Sequence, residues 1–245
     1  MFPRFYTVPS NIDNSKVILI GEDIHHIKDV LRLKVNDKIV IFAGSNIEYT
    51  VKLVKITISS IIGEVVSQQE VATESNIEIT LAQGLSKSKK FDLVLEKSVE
   101  LGVRTVIPLL TERCIVREVS EPKLIRWRKV VKEAAQQSGR TSLPMIKGLH
   151  NLHEVINFAC DFDLSLILWE DEPKSNLKNI LSGVGRIKRV LAIVGPEGGF
   201  TREEVAYAQK NDLKVIRLGS RIFRTETVGM VILSILQYEL GDLGS

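Results

Sequence analysis

The sequence predicts a mixed α/β protein: an α/β domain on a mostly parallel sheet, preceded by a small β-barrel-like module. Three observations carry that expectation. The 245 residues exceed a typical domain of about 100–200. Up to residue 70 the pattern is one of short strands with turn signals between them. From Ile77 onward strands alternate with longer helices, the grammar of a parallel sheet with crossover helices. The polar segment Ser67 to Asn76 is weakly patterned and reads as the linker, which gives domains 1–70 and 77–245.

The elements follow in order. Lys16–Ile20 reads as a strand, and Asp23–Leu33 as a brief helix because Ile24, Ile27, Val30 and Leu31 keep a helical period. Asn36-Asp37 turns the chain into a strand at Lys38–Phe42, and Gly44-Ser45-Asn46 turns it again. Glu48–Ile56 and Ser59–Val66 complete the β-rich module. In the second domain the strands expected are Ile77–Gln83, Thr105–Leu109, Leu164–Trp169, Val190–Val194 and Lys214–Leu218. The helices are Lys89–Gly102, Pro122–Ser138, Leu152–Ala159, Arg202–Asn211 and Thr225–Leu240. The last is nearly all apolar between Val228 and Leu236 and needs cover on most sides, from its own domain or from a second copy of the chain.

Composition excludes several classes. With 44% hydrophobic and 26% charged residues the chain is neither disordered nor low-complexity. Its aliphatic runs, such as Val231-Ile232-Leu233, fall far short of the ~20 residues needed to cross a bilayer. No secretory hydrophobic stretch follows Met1-Phe2-Pro3-Arg4, so a cytoplasmic protein is expected. The net charge of +3 is weak evidence for any partner. Its distribution says more: Gly84 to Arg140 holds 13 Lys/Arg against 7 Asp/Glu, whereas residues 1–75 hold 8 against 9. Such a cluster fits an anionic partner or a solvated helix face equally. Cys114 and Cys160 have no metal-ligand spacing and read as reduced thiols, Cys160 in a core. His25-His26 is adjacent instead of i,i+4, and His150/His153 lack a third ligand, so no metal is expected.

Three places could do chemistry. In Leu191–Glu204 an apolar strand runs into Gly195-Pro196-Glu197-Gly198-Gly199, then into a helix opened by the capping-box pair Thr201 and Glu204. Open α/β sheets bind ligands at this end of a strand, although a plain tight turn is an equal reading. Leu218-Gly219-Ser220-Arg221-Ile222-Phe223-Arg224 lies in the same position before the final helix, with Thr225 as a plausible N-cap. Its two guanidiniums suit an anion or a nucleobase, unless they merely pair with Glu226 and Glu197. The third place gathers Lys87, Lys89 and Lys90 with Gln136, Gln137 and Arg140 near a glycine helix stop; it too reads as a solvated terminus. Arg4, His25, His26 and Arg32 are further candidates for phosphate contacts. Gly183-Val184-Gly185-Arg186-Ile187-Lys188 precedes a strand and lacks the sixth glycine, so it is no dinucleotide fingerprint; P-loop and G-x-S-x-G motifs are absent.

The pair Ile193–Gly199 and Leu218–Thr227 resembles the cofactor loops of the SPOUT methyltransferases, and more narrowly those of the bacterial small-subunit (16S) ribosomal RNA uridine-N3 methyltransferases. His25-His26-Ile27 with Val30-Leu31-Arg32, Glu96-Lys97 with Glu100-Leu101-Gly102, and Glu133–Arg140 extend the resemblance along essentially the whole chain. It implies a PUA-like RNA-binding domain, then a SPOUT domain with a deep trefoil knot against the usual rule of unknotted folds, and a homodimer formed through the knotted domain. It also implies S-adenosylmethionine held by Leu168, Gly195, Pro196, Glu197, Gly198, Gly199, Leu218, Gly219, Ile222, Phe223 and Arg224. Arg224 would stabilise the developing uracil anion, with Glu197 or Glu226 accepting the proton. Arg4, His25, Arg32, Lys87, Lys89, Gln137 and Arg140 would hold RNA of the small ribosomal subunit. Trp169, Val228 and Cys114 depart from the family pattern. Two rivals remain: a SPOUT-like RNA-binding protein without catalysis, and a small-molecule enzyme using Gly195–Gly199 as a phosphate cradle.

Overall fold

The computed structural model describes residues 2–244 apart from 14, 173–176, 184 and 186. Val184 and Arg186 of the glycine-containing segment noted above therefore lie outside the described residues. The chain forms two compact units: residues 1–74 with 135–143, and residues 75–134 with 144–245.

The N-terminal unit is a six-stranded sheet of β1 (Arg4–Tyr6), β2 (Ile12–Asp13), β3 (Lys16–Leu19), β4 (Lys38–Phe42), β5 (Ile47–Ile56) and β6 (Ile61–Glu70), in the order β1-β4-β5-β6-β3-β2. Every pairing is antiparallel except β1 with β4. The strands show the period-2 logic of a one-sided sheet: Val17 and Leu19 are buried while Ile18 between them is exposed. Phe5, Val17, Leu19, Ile27, Ile39, Ile41, Val51, Leu53 and Ile61 share one core. Strand β6 runs four residues into the stretch expected to be linker, paired with β5 up to Ile47↔Glu70. The brief helix is shorter than its apolar period suggests. It starts as α1 (Glu22–His25), widens into a π-type turn over His26–Val30, and stops where Arg32 takes φ 54°. Leu31 N–H reaches back to His26 O and Leu33 N–H to Ile27 O, so Leu31 and Leu33 cap the turn instead of extending it.

The C-terminal unit alternates as expected. β7 (Glu78–Gly84) is followed by α2 (Ser88–Glu100) and β8 (Thr105–Leu110), then by α3 (Glu121–Gln137). Two-residue strands β9 (Met145–Ile146) and β10 (His150–Asn151) precede α4 (Leu152–Asn157). Next come β11 (Leu164–Leu168), α5 (Leu177–Ser182), β12 (Arg189–Val194), α6 (Arg202–Lys210), β13 (Lys214–Ile216) and α7 (Thr225–Leu240). The sheet is parallel throughout, in the order β10-β8-β7-β12-β11-β13, with β9 also on β8. A parallel sheet is covered on both faces, and accordingly Val190 to Val194 are all buried. Burial of Phe200, Val205 and Ala208 fixes α6 on the sheet.

Two expectations are corrected here. Cys160 is exposed in the turn after α4; Cys114 is the buried thiol, accepting from Thr111 N–H at 3.4 Å. Thr225 is the first residue of α7, not its cap: Arg224 holds the cap position, and the Thr225 hydroxyl bonds elsewhere. α7 buries Gly229, Ile232, Leu233, Leu236 and Gln237, leaves Val231 and Ile235 half-buried and leaves Tyr238 exposed, so its own unit covers the apolar run in part.

Candidate active site

Strands β11, β12 and β13 end side by side, Leu168 opposite Val194 and Ile216. Because the sheet is parallel, their carboxyl ends open on one edge, and the loops leaving them meet there. They enclose a cavity of about 570 Å³, within the range of about 300–1,000 Å³ usual for small-ligand sites. Its apolar wall is Leu168, Trp169, Val194, Ile216, Phe223 and Val228. Gly195, Pro196, Glu197 and Gly199 line it from the first loop; Leu218, Arg221, Ile222 and Arg224 line it from the second.

The first loop is anchored throughout. Gly84 at the end of β7 lies against it so closely that a Cβ there would stand under 3.0 Å from the Pro196 nitrogen and the Gly195 carbonyl carbon. Gly199 N–H closes a turn onto Pro196 O at 3.0 Å, and Phe200 is buried beneath. The expected capping box forms: Thr201 Oγ1 accepts from Glu204 N–H at 3.1 Å and Glu204 accepts from Thr201 N–H at 2.9 Å. The other Glu204 oxygen takes Glu112 N–H at 2.9 Å, and Arg113 donates to Gly198 O at 2.9 Å.

Charge within the cavity is arranged around Lys90, whose ammonium lies 3.4 Å from Glu197 and 3.9 Å from Glu226. The two carboxylates thus face a lysine, not the arginines with which pairing was entertained. Glu226 is largely buried and its Oε2 has no hydrogen-bond partner. Arg221 and Arg224 are exposed on the second loop. Among the described residues, no group of three or more His, Cys, Asp or Glu is placed to hold a metal ion.

Comparison with known proteins decides the family. A model of the RNA methyltransferase domain matches residues 73–237, and one of the RNA methyltransferase PUA domain matches residues 19–66. The chain belongs to the RNA methyltransferase family. Its fold is a SPOUT-type α/β domain behind a PUA-like domain. It is 32% identical to the ribosomal RNA small subunit methyltransferase E of Buchnera aphidicola subsp. Acyrthosiphon pisum, over 98% of this chain and 94% of that one. The Bacillus subtilis protein of the same name is 30% identical over 90% of this chain and 89% of its own. Among solved structures, a Legionella pneumophila protein in complex with the bound cofactor SAM has a TM-score of 0.91 and 31% identity, covering 99% of this chain and all of that one. A ribosomal RNA small subunit methyltransferase E from Neisseria gonorrhoeae, bound to S-adenosyl methionine, has a TM-score of 0.89 and 31% identity over the same shares.

In this family member the cavity brings together nine of the expected ligand residues: Leu168, Gly195, Pro196, Glu197, Gly199, Leu218, Ile222, Phe223 and Arg224. Gly198 and Gly219 shape the loops without lining it. The residues expected at RNA divide differently. Lys87, Lys89 and Gln137 are exposed, as are Arg32 and His25, the latter 2.7 Å from Asp29. Arg4 and Arg140 are corrections. Arg4 bonds Glu48 at 2.6 Å and the carbonyls of Gly139 and Arg140 at 3.1 Å. Arg140 is 5% exposed and pairs with Glu74 at 2.5 Å. Both hold the N-terminal unit together, Arg4 by closing β1 onto the 139–140 turn. The basic stretch is also answered in part by its own acidic residues: Arg126 by Asp92, Arg128 by Glu121, Lys97 by Glu96 and Glu100. Hydrogen bonding from Glu100 and then Glu96 raises the Lys97 pKa, which keeps its charge within this exposed cluster. Trp169 and Glu170, at the end of the strand expected to supply the other side of the pocket, line the cavity with Leu168; Arg113 behind the loop was missed, because it sits in no motif.

Proposed function

We propose that this chain transfers a methyl group from S-adenosylmethionine to N3 of a uridine in 16S ribosomal RNA. The observation that carries the reading is the single cavity walled by Gly195–Gly199 and Leu218–Arg224, with apolar side chains at its base and Arg224 at its mouth. Its residues suit the cofactor. Glycine amides offer donors to a purine or a carboxylate, Leu168, Val194 and Phe223 offer a dry surface to a flat base, and Glu170, Glu197 and Glu226 offer negative charge to a cationic ligand. When bound, the cofactor supplies an electrophilic methyl group on a positively charged sulfur.

The residues of this chain do the rest. Uracil N3 lies on the Watson–Crick edge and carries a proton, so the base must be unpaired before the site can hold it. Loop Leu218–Arg224 orients it, and orientation supplies much of the rate. Arg224 stabilises the negative charge that develops on the uracil oxygens as N3 loses its proton. Glu197 or Glu226 accepts that proton, and Lys90 beside both steadies the carboxylate that remains. Lys87, Lys89, Gln137, Arg32 and His25 are exposed groups able to position the RNA, with sequence read through shape and splayed bases.

The same reading includes a homodimer that buries the half-covered face of α7, since Val231 and Ile235 lie beside exposed Tyr238. It also includes the trefoil knot. Strand β13 pairs on the far side of β11 from β12, so the chain from Gly195 to Leu213 passes β11 by way of α6. A cytoplasmic site of action follows from a ribosomal substrate.

The test is incubation of small ribosomal subunits lacking the modification with labelled S-adenosylmethionine, followed by separation of nucleosides. N3-methyluridine is the expected product. A folded, cofactor-binding protein that yields none refutes the reading, and RNA binding without cofactor saturation would favour a non-catalytic RNA-binding protein.

A further inference from the structure

One buried polar chain runs from Gln83, which does not line the cavity, to Thr225 and Gly195, which do. Gln83, near the end of β7, is completely buried. Its Nε2 donates to Thr225 Oγ1 at 2.8 Å, and Thr225 Oγ1 donates to Gly195 O at 2.5 Å. A hydroxyl has one proton, so when the amide donates to it that proton is left for the Gly195 carbonyl. Gln83 therefore sets the direction of the bond that holds the first residue of the loop. The amide's other end is not satisfied: Oε1 is buried without a hydrogen-bond partner. A leucine of similar size would fill the space without that cost, so what the amide adds is its bond to Thr225. Helix α7 makes room for it, because a Cβ on Gly229 would stand 2.9 Å from Gln83 Oε1.

We infer that Gln83 and Thr225 are positioning residues for the cofactor, fixing the Gly195 carbonyl and hence the course of the Gly195–Gly199 backbone that walls the cavity. The inference rests on the proposed reading of the cavity as the S-adenosylmethionine site. Strand β7, the loop after β12 and the first turn of α7 are tied at one point by this relay. Gln83 acts at one remove, through Thr225 and a backbone carbonyl.

The experiment compares the full-length protein with Thr225→Val, Thr225→Ser, Gln83→Leu and Gly229→Ala. It uses calorimetric titration of S-adenosylmethionine, steady-state kinetics and thermal unfolding. Thr225→Val and Gln83→Leu are expected to raise Kd and KM for the cofactor by about tenfold, the effect of one buried hydrogen bond, with kcat at saturation within about threefold. Thr225→Ser keeps the hydroxyl and should stay within about threefold of wild type in Kd. Gly229→Ala favours the helix by propensity while displacing the amide, so it should weaken cofactor binding with no fall in Tm. Folded Thr225→Val or Gln83→Leu protein with wild-type Kd overturns the inference. Should both fail to fold, Gly229→Ala decides alone, and an unchanged Kd there overturns it equally. Wild-type protein that binds no S-adenosylmethionine would overturn the reading of the cavity, and the inference with it.

Discussion

Between β12 and α6 the chain is gripped on four sides: Gly84 lies against Pro196, Arg113 reaches the Gly198 carbonyl, Phe200 is buried, and Thr225 takes the Gly195 carbonyl. Between β13 and α7 it is not. There the Arg217 guanidinium donates to Ser220 O at 3.2 Å, Ile222 is 84% exposed, and Arg221 and Arg224 are exposed. The contrast divides the work within the proposed site. A loop whose backbone is already fixed loses little entropy when it binds, which suits recognition of a cofactor common to many reactions. A loop fixed mainly at its ends can fit itself to a base presented by a large RNA, and its ordering cost is met only by the right partner.

Mutations can break this contrast in a graded way. The largest effect is expected from Gly84→Ala, which drives a Cβ into the backbone of the anchored loop. Overpacking of this kind costs roughly 1–3 kcal/mol, visible as a lower urea midpoint at unchanged slope; an unaltered midpoint would show that the loop can yield. On the open loop Arg224→Ala should behave in the opposite manner. Stability should stay within about 0.5 kcal/mol, while kcat falls by about 10²-fold. Wild-type turnover in that variant would remove Arg224 from the chemistry.

Arg113→Ala should have a smaller effect. It removes one exposed hydrogen bond to Gly198 O, and cofactor affinity should fall by about threefold to tenfold with kcat kept. A drop in kcat instead would mean that the anchored loop serves the chemical step directly. The smallest effect concerns Glu203 in the first turn of α6. Its own backbone N–H, and after that the Thr201 hydroxyl, hold its carboxyl below the usual glutamate range. A carboxyl lowered on folding stabilises above its unfolded pKa, and that contribution disappears as pH falls through the lowered value. Glu203→Gln should therefore reduce stability at neutral pH slightly and flatten its acid dependence between those two values, as followed by urea unfolding across pH.

The features legible in the sequence are those made by neighbours in the chain. The Thr201–Glu204 capping box needs only a spacing of three, and it formed as expected. Helix α7 runs from Thr225 to Leu240, the limits expected for it around the apolar run Val228–Leu236. Less legible were β9 and β10, each two residues long and too short to show a period. Cys160 was misplaced because its burial depended on how a turn after α4 faces, and the turn put it outside. Arg140 could not be assigned from its own surroundings: its partner Glu74 lies 66 residues away, and Arg4 reaches its carbonyl from 136 away.

What the sequence by itself determined is the alternation of strands and helices, the place of the two loops at strand ends, and the chemistry those loops carry. These follow from hydrophobic period, glycine and capping, all of which act within a few residues. Only the tertiary structure decided which polar groups face a ligand and which bind the protein. Thr225 has the residue type of a cap, yet Gln83 from β7 and Gly195 from the loop after β12 claim its hydroxyl. Two arginines in the N-terminal unit have the charge to bind phosphate, yet they bind a carboxylate and carbonyls of their own unit. A buried polar group must be satisfied wherever a partner can be found, and the fold brings those partners from far along the chain.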